Sequence, residues 1–253
     1  VTGPAILALD GVTRAFGATR ALDGVDLRVE AGRSLGIVGE SGSGKSTLLR
    51  LLLGLDSPTS GTVTYRDQPL DRRDRALLRR LRSDVQIVFQ DPRSSLDPRM
   101  RVGAIVAEPL RSLRVPGDHR ARVTEVLAAV GLDPDMAGRY PAQFSGGQRQ
   151  RIAIARALAP SPSVLVADEP VSALDVSVRA QVVELLRTLS VEQGLTLVLV
   201  SHDIGIVGQL CADTVVLHHG RVVEQGPTDR VLSAPAEPYT RRLLSAVPRL
   251  PEA

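Results

Sequence analysis

A chain of 253 residues with 43% hydrophobic content has room for one large core, or one core with a smaller lobe. A formal charge of +3 is too mild to argue for a nucleic-acid partner, and the longest apolar runs, such as Leu195–Val200, fall far short of a bilayer crossing. No basic start leads into an apolar segment, so no secretory signal is expected; Cys211, the only cysteine, excludes an internal disulfide and reads as a small buried thiol in a reducing cytosol.

Ser34–Gly39 (SLGIVG) reads as a buried strand, Glu40–Gly44 as a Gly/Ser loop, and Lys45–Leu53 as a helix clustering Leu48, Leu49, Leu51 and Leu52 for burial. Gly39, Glu40, Ser41, Gly42, Ser43, Gly44, Lys45 and Ser46, with Thr47 next, spell the phosphate-binding pattern G-x-x-x-x-G-K-[ST]. Glycines let the backbone curl until its N–H groups line an anion nest, and the helix N-terminus adds its dipole. Lys45 is placed to reach the terminal phosphates of ATP and the Ser46 hydroxyl to ligand Mg²⁺. Among 31 basic side chains Lys45 is the only lysine, so this position asks for a compact ammonium where arginine serves everywhere else.

Asp71–Asp84 (DRRDRALLRRLRSD) is a basic helix with Leu77, Leu78 and Leu81 inward. Lacking an aromatic platform, it reads as a solvated face near anionic headgroups in preference to a nucleic-acid surface. Val85–Phe89 (VQIVF) is a second apolar strand, ending at Gln90. Asp91–Gln143 changes texture: it is rich in Pro and Arg and carries an amphipathic stretch, Asp118–Val130, with Val123, Val126, Leu127 and Val130 at helical spacing. Ser145-Gly146-Gly147-Gln148 then leads a helix over Arg149–Ala159, with Ile152, Ala155 and Ala159 on one face. S-x-x-Q is a capping box, and the two glycines leave the backbone bare, which makes this helix start a second anion site. One triphosphate needs one cradle, so the second invites another chain's nucleotide.

Val164–Ala167 (VLVA) ends at Asp168-Glu169-Pro170, and Leu195–Val200 (LTLVLV) ends at Ser201-His202-Asp203. Fully apolar runs of this kind suit a parallel sheet covered on both faces, in which ligands sit off the carboxyl ends of the strands. All four strands place polar residues there, which predicts one nucleotide site assembled from distant segments. Asp168 suits a Mg²⁺ contact and Glu169 a base that deprotonates water. Gln90 can touch metal and water, and His202 can donate to the γ-phosphate. Taken alone, each has a structural alternative: Asp168-Glu169 as a helix cap, His202 as a structural histidine. His119, His218 and His219 have no ligand-like spacing with a Cys or carboxylate cluster.

Phe144-Ser-Gly-Gly-Gln-Arg-Gln-Arg-Ile-Ala-Ile-Ala-Arg-Ala-Leu158 resembles the signature motif of the ATP-binding-cassette (ABC) ATPases. It lies between the phosphate loop and Val-Leu-Val-Ala-Asp-Glu-Pro170, followed by Ser172-Ala-Leu-Asp175 and Ser201-His-Asp203, in that family's order across nearly the whole chain. The resemblance implies an α/β fold: a P-loop NTPase core with a mostly parallel sheet, an antiparallel β subdomain and an inserted α-helical lobe. Residues 1–90 and 160–226 would form the core, 91–159 the lobe with the signature, and 227–253 a tail of short surface helices. It also implies head-to-tail pairing with a second ATPase subunit, each ATP lying between one phosphate loop and the partner's Ser145, Gly146, Gly147 and Gln148. Phe16 in Arg14-Ala-Phe-Gly17 would stack on adenine, the alternative being a core aromatic. Asp175 would organise the dimer seam, and Gln90 would link the lobe to the site.

Gln90-Asp-Pro-Arg-Ser-Ser-Leu-Asp-Pro-Arg-Met100, Val171-Ser-Ala-Leu-Asp-Val-Ser-Val-Arg-Ala-Gln181 and Pro235-Ala-Glu-Pro-Tyr-Thr240 are similar to the oligopeptide, dipeptide and nickel importer ATPases. Glu237 stands where that group often has His, and the terminal Cys cluster of some members is absent. The group implies a peripheral subunit on the cytoplasmic face of the cell membrane, hydrolysing ATP to power import of peptides or nickel-like solutes. Its partners would be transmembrane permease subunits and, through the complex, a solute-binding protein. The alternatives are the ATPase of an exporter and a non-transport ABC ATPase.

Overall fold

The computed structural model describes residues 5–245. Its strands, in chain order, are β1 (Ala5–Phe16), β2 (Thr19–Glu30), β3 (Leu35–Val38), β4 (Ser60–Tyr65) and β5 (Gln68–Pro69). β6 (Val85–Val88), β7 (Val164–Asp168), β8 (Thr196–Val200), β9 (Asp213–His218) and β10 (Arg221–Pro227) follow. The chain divides into two compact units, Val1–Leu78 with Thr196–Ala253, and Arg79–Leu195.

In the first unit, β1 and β2 form a long antiparallel hairpin, extended by β4 and β5 into a sheet of order β2-β1-β4-β5. Val25, Leu27 and Val29 are buried and alternate with exposed Asp26 and Arg28, the period of a strand with one wet face. β3 pairs in parallel with β8 on one side and β9 on the other, and β10 returns antiparallel on β9. Every residue of β3 and β8 is buried, as two-sided cover of parallel strands requires.

β3 is pressed against the helix Ile204–Leu210. A Cβ built on Gly36 would lie 2.4 Å from Val207 Cγ1 and 3.4 Å from Cys211 Sγ. The same burial pushes the Cys211 thiol up to about 12, so it is the inert core thiol expected. Beyond β10 the expected short helices are Thr228–Ser233 and Pro238–Ser245, while 246–253 of the expected tail lie outside the described residues. The buried Glu224 carboxylate accepts from the Ala236 and Glu237 N–H groups at 2.8 and 3.2 Å. Burial alone would raise its carboxyl; the Thr240 hydroxyl, then the Ala236 and Glu237 N–H groups, outweigh that and hold it below its ordinary range.

In the second unit β6 and β7 pair in parallel, and the helices Val102–Val106, Glu108–Ser112, His119–Ala129 and Gly146–Leu158 follow between them in sequence. Asp118 stands just outside its helix as N-cap, accepting from the Arg120 and Ala121 N–H groups. The basic helix starts later than the sequence predicts, at Arg75, because the Asp74 carboxylate accepts from the Ala76 and Leu77 N–H groups and caps it there. Mostly parallel core strands, a separate antiparallel sheet and an inserted helical segment are thus all present, as the sequence predicts.

Gly36→Ala should destabilise the fold by about 1–3 kcal/mol, the usual range for overpacking a tight core. Adding Val207→Ala should recover part of that loss. Urea unfolding of the two variants and wild type decides it; equal midpoints for Gly36→Ala and wild type would mean that the helix yields freely.

Candidate functional site

The loop after β3 curls where only glycine fits. Gly39 has φ 156° and Gly44 φ 110°. A Cβ on Gly39 would meet the Leu217 carbonyl oxygen at 2.2 Å, and one on Gly44 the Ala21 carbonyl oxygen at 2.5 Å. The helix Lys45–Leu52 then begins with no side-chain cap. Its first-turn N–H groups therefore face the loop's enclosure, the arrangement that binds an anion. Lys45 Nζ donates to the Gly39 and Glu40 carbonyls at 2.6 and 2.8 Å, so the ammonium is held over the loop. Ser43 is buried within the loop, while Ser41, Gly42 and Ser46 are exposed and Thr47 half-buried. Glu40 is engaged on both sides: its carbonyl accepts from Lys45, and its N–H donates to the Tyr239 hydroxyl at 3.2 Å.

Parallel pairing brings His202 to this end of the sheet. The register aligns Ile37 with Val200, so Gly39 and His202 lie equally far along their strands. Buried Ser201 accepts from the Asp203 N–H, and Asp203 caps the helix Ile204–Leu210, which fixes the turn and leaves His202 exposed. Phe16, at the end of β1, is 49% exposed, which removes the core alternative. The Arg14 guanidinium lies 4.4 Å from its ring centroid.

The second unit repeats the strand-end logic. Its register aligns Val88 with Ala167, so Gln90 and Glu169 emerge in step at the ends of β6 and β7. Phe89, Gln90, Asp91, Ser94, Ser95, Arg156 and Asp168 line a cavity of 430 Å³ there. Arg156 carries no sequence signal beyond its place in the signature helix. Burial lowers its pKa, and its guanidinium donates to the Ser95 carbonyl at 2.5 Å. Glu169 is no helix cap: it sits at φ 49°, a left-handed conformation that costs a non-glycine residue about 1–3 kcal/mol. Its carbonyl accepts from the Ser172 N–H and hydroxyl, bonds that hold the turn in place. A larger cleft of 610 Å³ in the first unit is lined in part by charges already paired, Asp10 with Arg28 and Arg33 with Asp213.

The predicted capping box is formed: Ser145 Oγ accepts from the Gln148 N–H, and the Gln148 side chain accepts from the Ser145 N–H. Its two glycines are not both bare, as the sequence suggests. Gly146 is exposed, but Gly147 is buried, and a Cβ there would lie 2.3 Å from Val178 Cγ1. Gly147 is thus small to admit a neighbour in its own chain. Asp175 supports that neighbour by capping the helix Val176–Glu192: it accepts from the Val178 N–H at 2.9 Å and from the Ser177 hydroxyl. Those bonds hold its carboxyl below the ordinary carboxylate range.

Comparison with known proteins supplies the wider setting. Residues 22–172 match the family model described as ABC transporter, and 223–253 match the oligopeptide/dipeptide transporter C-terminal region. The chain is 50% identical over 237 residues to the oligopeptide transport ATP-binding protein OppD of Mycobacterium tuberculosis, covering 93% of this chain and 39% of that one. It is 48% identical over 233 residues to the dipeptide transport ATP-binding protein DppF of Escherichia coli, covering 91% and 70%. Among solved structures, cbiO1 of Clostridium perfringens, part of the ABC transporter complex cbiONQ, superposes with a TM-score of 0.83 at 32% identity, covering 91% and 92%. The dimeric ATP-binding cassette MJ0796 bound to ADP and Pi does so at 0.77 and 34%, covering 88% and 98%. No helix among the described residues is long and apolar enough to cross a membrane. The chain spans well under half of the mycobacterial relative, yet its motifs, fold and matches agree: it belongs to the ABC transporter family.

Proposed function

We propose that this chain binds and hydrolyses ATP to power peptide import through a membrane ABC transporter, working as a peripheral subunit on its cytoplasmic face. The observation that carries the reading is the phosphate loop, with its glycine-only curl, uncapped helix start and lysine held overhead. The peptide-transport names of its relatives support import over the exporter and non-transport alternatives. The partners would be transmembrane permease subunits, a second ATPase subunit and, through the complex, a solute-binding protein; the dimeric cassette among its structural neighbours supports the second.

In this reading Phe16 stacks on adenine, while the loop N–H groups and Lys45 bind the phosphates. Glu169 takes a proton from water as the water oxygen attacks the γ-phosphorus; the bond to the β–γ bridging oxygen breaks, leaving ADP and inorganic phosphate. Gln90 orients that water, and His202 donates to the γ-phosphate. Ser46, Gln90 and Asp168 offer the oxygen donors that Mg²⁺ prefers, and the ion supplies neutralisation of phosphate charge. Ser145, Gly146 and Gln148 present a capped helix start to the nucleotide of the partner subunit, with Gly147 supporting the helix from behind.

Glu169→Gln should keep ATP affinity and slow phosphate release by at least about a hundredfold, since an amide cannot take the proton. Affinity and release measured on one preparation test this, and rapid release would remove Glu169 from the role of base. Phe16→Ala should cost about 1–3 kcal/mol of ATP affinity, the worth of one base stack, with the rate recovered at saturating ATP. Unchanged affinity would place adenine elsewhere. Lys45→Ala and Ser145→Arg should each silence the homodimer, whereas mixing them should restore activity, because one composite site in each mixed dimer is intact. With permease subunits present and mixed dimers verified by mass, activity no higher than either parent's would overturn independent two-chain sites.

A further inference from the structure

The helix Pro238–Ser245 comes from the C-terminal segment, yet its Tyr239 touches the phosphate loop. The Tyr239 hydroxyl accepts from the Glu40 N–H at 3.2 Å, across 199 residues of sequence. The Glu40 carbonyl in turn accepts from Lys45 Nζ at 2.8 Å and from the Ser43 N–H at 3.1 Å. A single loop residue therefore connects a phenol in the C-terminal segment to the ammonium that grips phosphate.

The phenol is itself held firmly. Tyr239 is 7% exposed, and its ring stacks on the His218 imidazole with centroids 3.7 Å apart and planes 23° apart. His218 closes β9, one residue beyond Leu217, whose carbonyl bounds the space at Gly39. At its base the segment is fastened to β10 by the Glu224 carboxylate, which accepts from the Ala236 and Glu237 N–H groups. Two anchors thus set where the hydroxyl stands, and the hydroxyl sets where the Glu40 peptide stands.

We propose that Tyr239 is a positioning residue for the phosphate loop, holding the Glu40 peptide so that Lys45 and the neighbouring N–H groups meet the nucleotide, and thereby coupling ATP affinity to the seating of the C-terminal segment. This rests on the reading of the loop as an ATP site. The tyrosine takes the Glu40 N–H, which is accordingly turned away from phosphate. A displaced segment would release that peptide and loosen the grip of the loop without altering the residues of the hydrolytic step.

The test is ATP affinity and steady-state turnover in the full chain for Tyr239→Phe, which keeps the stacked ring and loses the hydroxyl. Affinity should fall by about three- to tenfold, the worth of one hydrogen bond, while the maximal rate at saturating ATP is retained. Glu40→Pro, which removes the donor, should produce a similar loss, and the double variant should lose no more than either single one. A global folding defect would instead lower the maximal rate by shrinking the active fraction. Unchanged affinity in Tyr239→Phe while wild type binds ATP overturns the proposal alone. So does a Tyr239→Phe effect that persists undiminished in the Glu40→Pro background. Wild type failing to bind ATP overturns the ATP reading and the proposal together.

Discussion

Backbone lying directly on backbone governs the candidate site. Gly39 faces the Leu217 carbonyl and Gly44 the Ala21 carbonyl at separations that no side chain survives. Gly220, in the turn between β9 and β10, meets the same Ala21 carbonyl, with a built Cβ only 2.7 Å away. The loop is therefore walled by main chain from β2 and from the β9–β10 hairpin. A nest built this way is rigid before any ligand arrives, so little ordering remains to be done on binding.

The two helix starts divide the work differently. At Lys45 the N-cap is Gly44, which offers no side-chain cap, and the helix dipole favours an anion there. At Gly146 the Ser145–Gln148 box already satisfies two donors, so that terminus is stable by itself and presents its remaining amides on a fixed surface. The first suits a partner that must be enclosed, the second one that is met face to face.

How much of this was readable follows from the range of each interaction. The phosphate loop, the strands that end in Gln90, Asp168 and His202, and the Ser145 box are local patterns, and the structure reproduces each within a few residues. Their parallel arrangement follows from buried apolar runs, while their registers do not. The left-handed Glu169 was not readable, since no neighbouring residue encodes a strained φ. The packing role of Gly147 is not legible locally, because Val178 lies thirty-one residues on and is placed by the Asp175 cap. The Tyr239–Glu40 bond joins opposite ends of the chain, and pattern carries no information over that distance. Phe16 was read from resemblance, and only its exposure separates a stacking surface from a core ring.

Having one lysine in the chain gives the loop a chemical address. The other thirty basic side chains are guanidiniums and not amines, so a reagent selective for lysine amines finds a single side-chain target, Lys45. That amine is half-buried and already donating to two carbonyls. Its labelling rate therefore reports how tightly the loop is closed. A lysine-specific protease likewise has one place to cut, at the mouth of the nest, and the resistance of that bond would read out occupancy without a fluorophore, a tag or an assay of turnover.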